Sequence, residues 1–65
     1  MNKIEILRKR RDLVVQKWDA EMEPLREARR NEEQIDWNLW DELTRQMQIK
    51  TAQIDFQILQ EGGEV

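Results

Sequence analysis

Apolar side chains return at helical intervals through most of this chain. At roughly 100° per residue, Ile4, Leu7, Val14, Val15, Trp18, Met22 and Leu25 fall on one arc, flanked by Lys3, Arg10, Lys17 and Asp19. Further on, Ile35, Leu39, Trp40, Leu43, Met47, Ile54 and Ile58 make a second stripe. Alternation with period two is missing, so no strand is predicted. Glycine occurs only at Gly62 and Gly63 and proline only at Pro24, and the rest is rich in helix formers. The pattern predicts an all-α fold: a two-helix antiparallel hairpin over residues 1–61 with a short flexible C-terminal tail, 62–65.

Arg29 and Arg30 suit the negative end of the first helix. Asn31 is the expected cap of the second, with Gln34 completing a capping box, so helix 2 is predicted from about residue 33 to about residue 61, stopped by Gly62. Pro24 inside helix 1 costs a backbone bond, and because Leu25 and Ala28 stay close to the earlier stripe, a kinked but continuous helix is expected.

Folding at about residue 31 sets Ile4 against Ile58, Leu7 against Ile54, Val15 against Met47, Trp18 against Leu43, Met22 against Trp40 and Leu25 against Trp37. The one exception to apolar pairing is Arg11 with Thr51. The rival is a single long helix in a coiled coil. Its seam would carry Arg11, Glu21, Glu32, Glu42, Gln46 and Gln53, which is too polar to hold.

Both predicted helices carry a further apolar set. On helix 2 it is Ile49, Ala52, Phe56 and Leu59, nearly opposite the first stripe; on helix 1 it is Ile6, Leu13 and Ala20, repeating every seven. A helix that is apolar on two sides is usually buried on two sides. Self-association, or docking on another protein, follows as the expectation, most simply an antiparallel homodimer forming a four-helix bundle. Gln46, Gln48, Gln53, Gln57 and Gln60 surround the helix 2 set, and amides desolvate more cheaply than charges. Trp18 and Trp40 belong to the main stripes. Trp37 points away from Leu39 and Leu43, and either folds over the hairpin tip or anchors an interface. The expected partner-binding residues are therefore Ile49, Phe56, Leu59, Trp37, Ile6 and Leu13.

Composition narrows the chemistry. The chain has 65 residues, and domains of this size are marginal alone. Cys and His are absent, and the only hydroxyl side chains are Thr44 and Thr51, so nucleophile–base pairs and zinc or copper sites lack their usual parts. No enzyme activity, metal or other cofactor is expected. The acidic residues Glu32, Glu33 and Asp36 leave a magnesium site as a formal alternative, against the simpler reading of a negative first helical turn.

The longest apolar run is three residues, Leu13 to Val15, where a membrane span needs roughly 20. A soluble, cytoplasmic protein is expected, and Met1 with the Gly62-Gly63 end fits a complete small gene product.

Charge supplies the alternative function. Residues 1–17 hold Lys3, Arg8, Lys9, Arg10, Arg11 and Lys17 against Glu5 and Asp12, although the whole chain is −3. Arg8, Lys9, Arg10 and Arg11 are thus candidate nucleic-acid contacts, extended by Arg26, Arg29 and Arg30. Consecutive helical residues spread around the axis, however, and no aromatic is interleaved for stacking. A basic amphipathic helix also fits a membrane surface or a calmodulin-like groove, but the stripe of helix 1 has a ready partner in helix 2.

Overall fold

A computed structural model describes residues 2–64. Helix α1 runs Lys3–Arg30, helix α2 runs Trp37–Gln60, and the two pack against each other. The molecule measures 45 × 19 × 13 Å. A single helix of the whole chain would be about 98 Å long, so the chain folds back as a hairpin.

Each helix has a defined start. Asn2 caps α1, its side-chain oxygen accepting from the Glu5 N–H at 2.9 Å. Asp36 caps α2, accepting from the Leu39 N–H at 3.0 Å. This corrects the expected boundary: Asn31 ends α1 rather than beginning α2, and Gln34 lies outside any helix. The connection therefore spans residues 31–36.

Both helices close with the same motif. After α1 the Glu32 N–H donates to Arg29 O and the Glu33 N–H to Ala28 O, and after α2 the Gly62 N–H donates to Leu59 O and the Gly63 N–H to Ile58 O. These are Schellman pairs, which need a left-handed residue at their centre. Gly62 fills that place at φ 84°, and Glu32 does so at φ 57° with a Cβ in the way. Glu32→Gly is expected to stabilise the hairpin by about 0.5–1 kcal/mol, since a non-glycine residue there carries a steric penalty. Thermal melts followed by circular dichroism should show a midpoint rise of about 2–6 °C.

The apolar centre lies toward the open end. Leu7, Ile54 and Ile58 form a buried cluster with Ile4 and Val14 packed against it, while Met22 is buried nearer the turn. Thr51 is buried as well, and its hydroxyl donates to Met47 O and Gln48 O of its own helix. That internal bond lets a polar side chain occupy the stripe. Leu39, expected in the core, is exposed instead. The helix begins only at Trp37, and Leu39 lies in its first turn roughly 80° around from Met47.

Cross-helix polar contacts locate the register. The Trp18 indole N–H donates to Thr44 Oγ1 at 3.3 Å, one residue from the expected Leu43. Arg11 does not pair with Thr51; its Nε donates to Asp55 Oδ1 at 2.7 Å, one turn further along α2. α1 continues through Pro24.

Candidate interaction surface

The outward side of α2 is built by the spacing of Ile49, Ala52, Phe56 and Leu59. With Met47, Thr51, Ile54 and Ile58 turned toward α1, this second set must face away. Phe56 is 61% exposed, and Ile49 and Leu59 are about half exposed. Ala52 and the five surrounding glutamines, Gln46, Gln48, Gln53, Gln57 and Gln60, are exposed too. Gln46 Nε2 donates to Glu42 Oε1.

The other predicted contact residues are exposed but stand apart. Ile6 lines a shallow flank hollow with Arg10, Gln57 and Gln60, away from Phe56. Leu13, 63% exposed, lies two turns further along α1. Trp37 is the first residue of α2 at the turn end, its ring 5.5 Å from that of Trp40 at a 53° tilt. The six residues thus make one continuous strip, Ile49–Phe56–Leu59, and three separate outposts.

The basic run is divided. Arg11 is bound to Asp55, and Arg8 Nη2 donates to Glu64 O at 3.3 Å. Lys9 and Arg10 are exposed and make no ion pair among the described residues. Of the later arginines, Arg26 holds Asp19 at 2.7 Å and stacks 5.3 Å over the Trp18 ring, and Arg30 holds Glu23 at 2.7 Å. These pairs neutralise cations that phosphate contacts would need.

The acidic cluster is dispersed. Glu32 sits at the left-handed turn position and Asp36 is spent as a cap. Among the described residues, no three carboxylates come together as a group that could hold a metal ion. The inter-helix groove beside Val14, Trp18, Leu43 and Met47 holds about 80 Å³, against roughly 300 Å³ for the smallest ordinary ligand sites. A hollow of about 560 Å³ at Trp37 is open surface. No described helix is long and apolar enough to cross a membrane.

Compared with protein-family models, curated proteins and solved structures, the chain matches none.

Asp36 is legible as a cap. It stands directly before Trp37 and the Leu39–Trp40–Leu43 run, but the earlier Asn31–Gln34 pair offers the same signal. Asn2 with Glu5 three residues on is likewise a capping box that sequence reasoning passed over. Arg11–Asp55 has no local signal, because its partners are 44 residues apart.

Proposed function

We propose that this chain is a non-catalytic protein–protein interaction module. It is a small cytoplasmic regulator, adaptor or assembly factor that pairs with itself and, through its remaining apolar surface, with another protein. The simplest assembly is an antiparallel homodimer of four helices. The observation that carries this reading is one of balance among the described residues. Four apolar side chains are buried, whereas seven large ones, Ile6, Leu13, Trp37, Leu39, Ile49, Phe56 and Leu59, are exposed. Burying a large apolar side chain contributes about 1.5–3 kcal/mol, so an association that covers even three of them gains substantially.

Within the proposed module, α1 bends at Pro24, which has no N–H for the Ala20 carbonyl. Arg26 supports this stretch by donating from Nη1 to Asp19 O at 3.1 Å, across the proline. The second reading, nucleic-acid binding through Arg8, Lys9, Arg10 and Arg11, is weaker because Arg11 is committed to Asp55. A gel-shift titration separates the two, since phosphate contacts give affinity that falls steeply with salt.

Multi-angle light scattering across concentration tests the main reading. The wild type is expected to rise above the 8.0 kDa of one chain. Phe56→Asp removes an aromatic anchor and buries an unpaired carboxylate, costing about 3 kcal/mol or roughly a hundredfold in dimer affinity. The variant should run as a monomer with its helical signal largely kept. A wild-type mass of one chain at every concentration, with no protein partner, removes the proposal.

A further inference from the structure

We propose that the outer face of α2 is itself the dimer seam, with two copies packing α2 against α2 in antiparallel register. Phe56 of each copy lies over Ala52 of the other, and Ile49 over Leu59. This rests on the self-association proposed above and adds its seam, direction and register.

The face has a direction written into it. Ile49, Ala52, Phe56 and Leu59 repeat at spacings of three, four and three, a coiled-coil pattern confined to the C-terminal half of the helix. The N-terminal continuation of the same face is Asn38, Asp41, Glu42 and Arg45. Only an antiparallel pairing centred near residue 54 lays the apolar half on the apolar half while setting Phe56, the largest residue of the face, against Ala52, the smallest. A parallel pairing stacks Phe56 on Phe56 and Ala52 on Ala52, overfilling one layer and leaving the next hollow.

Charge points the same way. In a parallel pair Asp41, Glu42 and Arg45 each meet their own counterpart. In the antiparallel pair Arg45 arrives just beyond the last turn of the second copy's α2 on its outer side, while Gly63 and Glu64 are turned back toward Ile4 and Arg8 of α1. That end is the negative pole of the helix and has no basic residue in its last turn. Arg45 makes no ion pair among the described residues and is free for the role. Asp55 comes near its own counterpart on one flank, but each is already paired with Arg11 at 2.7 Å. Gln53 amides meet on the other flank.

The geometry orders the helices in a row, α1–α2–α2–α1, because the seam lies opposite the face that packs on α1. Eleven residues of seam span about 16 Å, which covers less than the roughly 800 Å² per partner of a standard interface. The dimer is therefore expected to dissociate in the micromolar range, and Trp37, Ile6 and Leu13 stay outside it.

The chain has no cysteine, so disulfide trapping reads the register directly. Full-length Ile49→Cys and Leu59→Cys chains, one of them isotopically labelled so that the products differ in mass, are oxidised mildly alone and as a mixture. The mixture is expected to yield the mixed disulfide, which joins one chain of each variant, in several-fold excess over any like-with-like product. Separately, Arg45→Glu should weaken the dimer about three- to tenfold by light scattering, and Arg45→Lys should hold it near the wild-type affinity. Like-with-like disulfides, or no disulfide from a mixture whose wild type is dimeric, overturn this register while leaving self-association standing. A wild type monomeric at every concentration overturns both.

Discussion

Ile58→Ala is expected to remove most of the hairpin's stability. Ile58 is 1% exposed and belongs to the cluster with Leu7 and Ile54, against which Ile4 and Val14 pack. Truncating such a residue costs about 2–5 kcal/mol, the lost transfer energy plus the cavity left behind. A domain of this length holds only about 3–10 kcal/mol in all. The thermal midpoint should fall by more than about 10 °C, or the cooperative transition should vanish. Leu13→Ala is the control, since Leu13 is 63% exposed and surface changes stay within about 0.5 kcal/mol. Equal losses from the two substitutions would place Ile58 outside the stabilising centre.

Gly63→Ala should cost about 1–3 kcal/mol, although the residue lies beyond the last helical turn. A Cβ built there would sit 2.6 Å from Ile58 Cγ2, 3.2 Å from Ile58 O and 3.3 Å from Ile4 Cδ1. The Gly63 N–H also donates to Ile58 O at 2.9 Å, so the segment has little freedom to swing away without losing the helix cap. The effect should shrink in an Ile58→Ala background, where the removed methyl groups leave room for the new one. A double-mutant cycle measures this directly, with a coupling of about 0.5 kcal/mol or more expected. Simple additivity would show that Gly63 and Ile58 do not press on each other.

The difference between these two predictions marks how far the residue order alone can be read. Ile58, Ile54 and Leu7 announce themselves through helical spacing, and so do Ile49, Phe56 and Leu59 as a second, outward set. The stop at Gly62 is equally local, because only a residue without Cβ enters the left-handed region freely. The α2 start lies about four residues beyond its expected place because two capping signals, at Asn31 and Asp36, compete over a short stretch. Which one wins depends on how long a connection the packed helices need, and that is a distance in space.

Residue order alone determined the all-helical chain, its two stripes and the surplus of apolar surface, since each follows from periodicities spanning a few residues. The same stripes also stay in phase along one long helix, so the fold-back itself was decided by the packing of α1 on α2. Tertiary structure decided that Arg11 meets Asp55 instead of Thr51, that Thr51 enters the core while Leu39 leaves it, and that Gly63 packs on Ile4 and Ile58. Those outcomes depend on the relative rotation and axial offset of two helices. A sequence pattern fixes the facing sides only to within about a turn, and a shift that small changes which side chains touch.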